Sequence, residues 1–132
     1  MISHVCVGTT DFDRAFSFYS AIAVELGLRL KFCDTNRPCA GWMPANAQRP
    51  LLVIGAPFDG QIAIPGNGQM LALLAASRDA VARTHAAALT NGGSCEGPPG
   101  LRPEYHADYY GGYFRDPDDN KLCVCCHEPA PS

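Results

Sequence analysis

Long apolar runs are missing from this 132-residue chain, and so is any excess of basic residues. No apolar stretch approaches the roughly 18 residues that a membrane-spanning helix needs, so we expect no membrane span. The chain has 10 Lys and Arg against 13 Asp and Glu, a formal net charge of −3. This balance argues against nucleic acid or an anionic membrane as the partner. Charged residues make up 17% and hydrophobic residues 47%, which excludes a disordered protein and is typical of one folded domain.

A secretory signal is also missing from the first residues, because no basic stretch is followed by an apolar one. We therefore expect a cytoplasmic protein. The chain has seven cysteines, an odd number that in this compartment favours reduced thiols over a disulfide framework. Cys123, Cys125, Cys126 and His127 form the one cluster in the sequence where metal chemistry has to be considered.

The first half of the chain combines one amphipathic helix with four short strands. A β-branched and apolar run at 2–7 predicts the first strand. Apolar residues then recur three and four positions apart from Phe12, which predicts a helix that ends at Gly27. Short apolar segments between Asn, Pro and Gly predict three more strands, at 28–33, 39–43 and 51–56. The predicted order of elements is βαβββ.

The second half repeats this plan. The sequence predicts a strand at 69–75, a helix at 78–91, a Gly- and Pro-rich loop at 96–108, and strands at 109–115 and 121–126. A shift of 66 positions places Asp13 on Asp79, Gly27 on Gly93 and His4 on Met70.

We interpret the chain as a single α+β domain, 1–132, of two tandem βαβββ modules, about 1–64 and about 65–132. One helix covers only one face of each sheet, so the bare faces would line a cleft, the expected ligand site.

Several motifs, in this order, resemble those of the vicinal oxygen chelate superfamily, which includes glyoxalase I, bleomycin-resistance proteins and extradiol dioxygenases. They are His4-Val5-x-Val7 leading to Asp11, Asp13-Arg14-Ala15-x-x-Phe18-Tyr19, Leu26-Gly27-Leu28, Pro65-Gly66-Asn67-Gly68, Gly97-Pro98-Pro99-Gly100, and Tyr113-x-Arg115-Asp116-Pro117-Asp118-x-Asn120-Lys121-Leu122. The resemblance covers essentially the whole chain and is greatest to small glyoxalase-like proteins of bacteria. It implies a curved mixed sheet around a cleft, often with a divalent metal.

The same resemblance implies four metal-ligand positions, of which this chain keeps one. His4 matches the histidine of the first strand, whereas the other positions fall on about Gly55, Met70 and Cys123. A site for Mg, Mn, Fe(II) or Ni needs carboxylate or histidine donors. The remaining set of His4, Met70 and Cys123 would suit a soft ion such as Cu(I) or Zn(II). We expect no metal cofactor, with a divalent or soft ion as the alternative.

Other candidate site residues lie in the loop at 96–108 and near it. Loops of this length without secondary structure are uncommon in compact domains and are often functional. His106 is a candidate general base, and Cys123 a candidate thiolate nucleophile. Candidate ligand-binding residues are Trp42, Arg102, Tyr105, Tyr109 and Tyr110.

The sequence leaves two classes of function open. The first is a lyase- or isomerase-like enzyme, related to glyoxalase I, that acts on a small oxygenated or thiol-adduct substrate. The second is a protein that binds a small apolar or aromatic molecule without turning it over, as resistance-type relatives do. A dioxygenase-like enzyme is a third alternative. In each case we expect a small-molecule partner, and the family habit implies a homodimer.

Overall fold

The computed structural model describes residues 1–131, which form two helices and two four-stranded sheets. The elements are β1 (His4–Gly8), α1 (Phe12–Leu26), β2 (Arg29–Asp34), β3 (Cys39–Met43), β4 (Leu51–Gly55), β5 (Leu71–Leu74), α2 (Arg78–Thr90), β6 (Ser94–Leu101), β7 (Tyr110–Arg115) and β8 (Lys121–Cys126). The predicted α+β fold of two βαβββ modules is confirmed. Ser132, the last residue of the predicted second module, lies outside the described residues.

The two sheets have the same topology, which is the structural form of the sequence repeat. Their strand orders are β1-β4-β3-β2 and β5-β8-β7-β6. In each sheet the first and last strands of the module pair in parallel, and the other pairs are antiparallel. Leu52 pairs with Val5 in the first sheet as Leu122 pairs with Leu71 in the second.

Within residues 1–131, neither helix combines the length and apolarity that crossing a membrane requires.

Each helix lies on one face of its sheet and is capped at its first turn. Asp11 accepts a hydrogen bond from Arg14 N at the start of α1, and Gly27 ends that helix with φ of 69°, a left-handed conformation that glycine adopts without strain. Ser77 accepts from Ala80 N at the start of α2. The helices pack against each other, and Phe18 and Phe114 from the two modules share one buried core.

The segment predicted as a loop at 96–108 is in large part a strand. β6 spans Ser94–Leu101 and pairs with β7, although Pro98 and Pro99 lie within it. Proline lacks the N–H that an interior strand must donate, but β6 is the edge of its sheet, where one side of the strand has no partner. The pairing with β7 shifts register on both sides of Gly97. The true loop therefore spans only 102–109.

A buried carboxylate joins the two modules. Tyr19 of α1 donates a hydrogen bond of 2.6 Å to Asp116, in the turn between β7 and β8. Asn120 donates from Nδ2 both to Asp116 and to the carbonyl oxygen of Gly8, at the end of β1. Asp118 accepts from the Thr9 hydroxyl at 2.8 Å. The Asp116-Pro117-Asp118-x-Asn120 motif thus ties the second module to β1 and α1.

Candidate functional site

The helix-free faces of the two sheets carry one groove each. The groove on the first sheet has a volume of about 940 Å³ and is mainly apolar, with Cys6, Phe32 and Val53 on its floor and the loop 57–64 at its rim; we call it the apolar groove. The groove on the second sheet has a volume of about 790 Å³. Its walls are the loop 66–70 on one side and an aromatic cluster on the other: Tyr105, His106, Tyr109, Tyr113 and His127. We call it the tyrosine groove.

Tyr109 is the centre of the aromatic cluster. Its hydroxyl oxygen lies 3.4 Å from the Tyr113 hydroxyl and 3.4 Å from the sulfur of Cys123. Its ring lies 5.0 Å, centroid to centroid, from the ring of Tyr105. Burial raises the pKa of both Tyr109 and Tyr113, and the contact with Cys123 adds to the effect on Tyr109. Both phenols therefore stay protonated at neutral pH, and the contact between them leaves at most one of the two protons for a hydrogen bond to a ligand.

A glycine gives the Tyr109 ring its room. Gly111 lies two residues beyond Tyr109 and pairs with Cys125 on β8. A Cβ atom at position 111 would lie 2.9 Å from a ring carbon of Tyr109. Only a residue without a side chain therefore allows the ring to fold down over the sheet and cover Cys123.

Two histidines fix the loop 102–109 to the end of β8. The backbone N–H of Asp108 donates to His106 Nδ1 at 3.1 Å, so the ring proton of His106 is assigned to Nε2. His106 Nε2 donates to His127 Nδ1 at 2.8 Å. The ring proton of His127 is then on Nε2, which lies 3.7 Å from Cys125 Sγ. All four ring nitrogens are engaged in this arrangement. His106 would have to leave His127 before it could act as the predicted general base.

The thiols beneath the cluster are protected rather than activated. Cys123 is fully buried under Tyr109. Burial and the neighbouring Cys123 raise the pKa of Cys125 to about 11. At neutral pH Cys125 is therefore a thiol and not a thiolate. This environment does not favour the nucleophilic role predicted for Cys123, because a substrate would have to displace Tyr109 to reach the sulfur.

The four positions of the family's metal site do not fit a hard divalent ion. Gly55 has no side chain, Met70 offers only a thioether and Cys123 is covered by Tyr109. Gly55 pairs with Gly8 on β1. Gly8 is four residues from His4, so position 55 lies about 13 Å along the strand from His4.

The soft-ion set of His4, Met70 and Cys123 is divided between the two sheets, with His4 on β1 and Cys123 on β8. Met70 immediately precedes Leu71, which pairs with Leu122 on β8. Asn120, two residues before Leu122, contacts Gly8 at the C-terminal end of β1, so Met70 lies towards that end. His4 lies at the opposite end of β1, where Ser3 Oγ is 2.9 Å from its Nδ1 atom. Among residues 1–131, no three His, Cys, Asp or Glu side chains lie close enough together to hold a metal ion.

Of the predicted ligand-binding residues, Tyr105 and Tyr109 line the tyrosine groove and three others do not. Trp42 is 3% exposed and packs on the ring of Phe16 of α1, which corrects the expectation that it lines the cleft. Tyr110 packs against the core with Arg78 over its ring. Arg102 donates to the carbonyl oxygen of Pro98 at 2.7 Å and lies over the Tyr113 ring. Trp42 and Tyr110 point to the helix side because strand residues alternate between faces.

The sequence analysis missed Gly111, Tyr113 and Lys121 as site residues. A signal for them was present. Side chains two apart on a strand share a face, so 109, 111 and 113 on one strand and 121, 123, 125 and 127 on the next form one surface. That alternation along the two predicted strands indicates Tyr113 and Lys121 as neighbours of Tyr109 and Cys123.

Comparison with known proteins identifies the class to which this fold and site belong. The family model of the Glyoxalase/Bleomycin resistance protein/Dioxygenase superfamily matches residues 1–124. A glyoxalase/bleomycin resistance protein from Albidiferax ferrireducens T118 is 35% identical, with a TM-score of 0.84 over 97% of this chain and 99% of that one. The chain therefore belongs to the glyoxalase/bleomycin resistance/dioxygenase superfamily, as the motifs predicted.

More distant solved structures share the fold. A glyoxalase-related enzyme from Fulvimarina pelagi is 19% identical, with a TM-score of 0.71 over 96% of this chain and 87% of that one. TnmS3, an antibiotic binding protein from Streptomyces sp. CB03234, is 20% identical, with a TM-score of 0.66 over 97% and 96% of the two chains. No functionally curated protein shows a significant match.

Proposed function

We propose that this protein binds a small aromatic molecule in the tyrosine groove without chemically changing it. The observation that carries the proposal is the aromatic wall made by Tyr105, Tyr109 and Tyr113. The ring centroids of Tyr105 and Tyr109 are 5.0 Å apart. The hydroxyls of Tyr109 and Tyr113 are protonated and lie next to each other. Such a wall offers flat apolar surface for stacking and a hydrogen-bond donor for orientation.

Two further observations support a binding role. The imidazole nitrogens of His106 and His127 are engaged with each other, with Asp108 and with Cys125, so they hold the groove in shape. The fold also occurs in TnmS3, an antibiotic binding protein, which means that the fold is compatible with binding as well as with catalysis.

A lyase-like or dioxygenase-like activity is the competing function, and metal analysis separates it from binding. The residues at the family's metal positions are a poor donor set for a hard ion, as Gly55 and Met70 illustrate. We expect purified protein to contain much less than one metal ion per chain by metal mass spectrometry. Stoichiometric metal that is lost in a His4→Ala variant would contradict the binding proposal and support an enzyme.

A homodimer is part of the proposal. It is supported by exposed apolar side chains at the rim of the apolar groove, where Phe58, Ile62 and Ile64 are at least 70% exposed. A contiguous exposed apolar patch is typical of a protein interface. A second copy of the chain would cover these side chains and leave the tyrosine groove free.

Calorimetric titration with naphthalene-2-carboxamide, a neutral planar probe, tests the binding proposal. We expect saturable binding that weakens about tenfold in Tyr109→Ala, because the lost ring contact corresponds to roughly 1.4 kcal/mol. Tyr105→Ala should also weaken binding, and this residue is 63% exposed, so its loss has little effect on folding.

The matched control is Phe32→Ala, in the apolar groove, which should leave the affinity unchanged. Two results would contradict the proposal. One is no binding of either naphthalene-2-carboxamide or naphthalene-2-carboxylate to the wild-type protein, and the other is an affinity that responds to Phe32→Ala but not to the tyrosine variants.

A further inference from the structure

The tyrosine groove is lined by two cationic side chains, although the whole protein is acidic. The net charge of the chain is −3, yet the groove is lined by Arg115 and Lys121 and by no Asp or Glu among residues 1–131. A local excess of positive charge in an acidic protein does not follow from composition. It points to the charge of the molecule that the groove receives.

The two cations differ in how far they are already neutralised. Arg115 donates from Nε to Glu96 at 2.6 Å and from Nη1 to the carbonyl oxygen of Asp119 at 3.0 Å. Its charge is therefore committed to β6 and to the neighbouring turn. Lys121 forms no ion pair within residues 1–131. Its ammonium lies 5.8 Å from the centroid of the Tyr113 ring. The carboxylate of Glu96 interacts with the Lys121 charge but is paired with Arg115, so the ammonium is left to pair with a ligand.

The charge and the aromatic surface are arranged along one strand. Lys121 begins β8 and His127 follows its end, a span of six residues or about 20 Å. Cys123, which pairs with Tyr113, lies two residues from Lys121, with the Tyr109 hydroxyl above its sulfur. A planar ring held by Tyr109 and Tyr113 therefore lies beside the ammonium, at a separation that a short acidic substituent spans.

We propose that the ligand of the tyrosine groove is an aromatic anion, a planar ring with a carboxylate or similar acidic substituent, and that Lys121 selects for its charge. This inference rests on the proposed binding function and adds the chemical class of the ligand. Tyr109 and Tyr113 bind the ring, one of their hydroxyls donates to a ligand oxygen, and the Lys121 ammonium pairs with the anionic group. The charge pair adds to stacking and discriminates against a neutral ring of the same size.

Two probes of equal size test the inference: naphthalene-2-carboxylate and naphthalene-2-carboxamide. We expect the wild-type protein to bind the carboxylate about tenfold more tightly, and this ratio to fall towards one in Lys121→Gln. The affinity for the carboxamide should change much less than that for the carboxylate in that variant. Lys121→Arg should keep the preference, since it keeps the charge. Raising the salt from about 50 mM to about 500 mM should weaken the carboxylate selectively.

Lys31→Gln, on β2 of the other sheet, is the matched control and should leave the ratio unchanged. Equal affinities for the two probes, or a preference that survives Lys121→Gln, would overturn the charge selectivity and leave the binding function standing. If neither probe binds, both proposals are wrong. The two failures are therefore distinguishable.

Discussion

Tyr109 separates the tyrosine groove from the thiols beneath it, because its ring forms part of the groove wall and its hydroxyl contacts Cys123. Its hydroxyl contacts both Tyr113 and Cys123, and its ring meets the rings of His106 and His127 edge to face. Gly111 makes this position possible. A ligand that stacks on Tyr109 is therefore separated from the cysteines by one ring. For this reason the site is better suited to binding than to thiol chemistry.

The buried thiol of Cys125 predicts a specific pH dependence of stability. Burial raises its pKa from an ordinary 9.0 to about 11, so above pH 9 the unfolded chain loses this proton while the folded chain keeps it. The resulting stabilisation is complete below about pH 9 and is lost as the pH rises through about 11.

Urea unfolding at several pH values between about 8 and 11 measures this effect. The free energy of unfolding of the wild-type protein should fall more steeply with pH than that of Cys125→Ala. Other buried groups whose pKa is raised, Tyr19 among them, are common to both proteins. Identical slopes would contradict the assigned environment of Cys125.

The identity of the site residues could be inferred from the sequence only in part. Tyr105 and Tyr109 are predicted as ligand-binding residues because aromatic residues in a loop beside a strand are conspicuous, and both line the tyrosine groove. Trp42 was misplaced, because its side of the sheet depends on which face α1 covers. The contact between His106 and His127 joins residues 21 positions apart and follows from the path of the loop, which residue types do not determine.

At the level of elements, α1 of the first module contacts the turn that joins β7 and β8 of the second module. Asp116 is 3% exposed and accepts hydrogen bonds from the Tyr19 hydroxyl, from Asn120 and from the Asp118 N–H. Burial has the larger effect and raises the pKa of Asp116, while these donors act in the opposite direction. The loss of a donor therefore leaves a buried carboxylate poorly satisfied.

Tyr19→Phe should destabilise the protein by about 2 kcal/mol, because it removes the hydroxyl donor to Asp116 and keeps the ring. Thermal and urea unfolding measure the change. Tyr105→Phe removes a hydroxyl from a side chain that is 63% exposed and should change stability little. Equal effects of the two substitutions would mean that the Tyr19 hydroxyl contributes nothing to the link between the modules.

The helices were predicted to within one residue, because periodicity and capping are local signals. The predicted helix from Phe12 to its end at Gly27 matches Phe12–Leu26, and 78–91 compares with Arg78–Thr90. β6 was missed because Gly97, Pro98, Pro99 and Gly100 have low strand propensity. The strand forms nevertheless because β7 supplies hydrogen bonds and the edge position tolerates proline. Hydrogen bonding with β7 thus outweighs the low strand propensity of the β6 residues.

At the level of the whole molecule, the repeat produces two sheets with one helix-free face each, and the two faces differ. The first sheet has an apolar groove with exposed apolar side chains at its rim, whereas the second has aromatic and basic residues. We assign contact with a second copy of the chain to the first face and ligand binding to the second.

The dimer proposal predicts a mass of twice 14.1 kDa in solution. Phe58→Glu should shift the protein towards the monomer in light scattering coupled to size exclusion, because a charge in an apolar interface is costly to bury. Val24→Glu is the control, since Val24 is 76% exposed on α1, outside this patch. A wild-type protein that is monomeric at high concentration would contradict the assignment.

The central claim is that a small aromatic molecule binds in the tyrosine groove, and an NMR titration with naphthalene-2-carboxylate tests it most directly. We predict that the amide signals of Tyr109, Tyr113 and Cys123 shift most and saturate together. Shifts centred on Cys6 and Val53 in the apolar groove, or no saturable shift at all, would contradict the account.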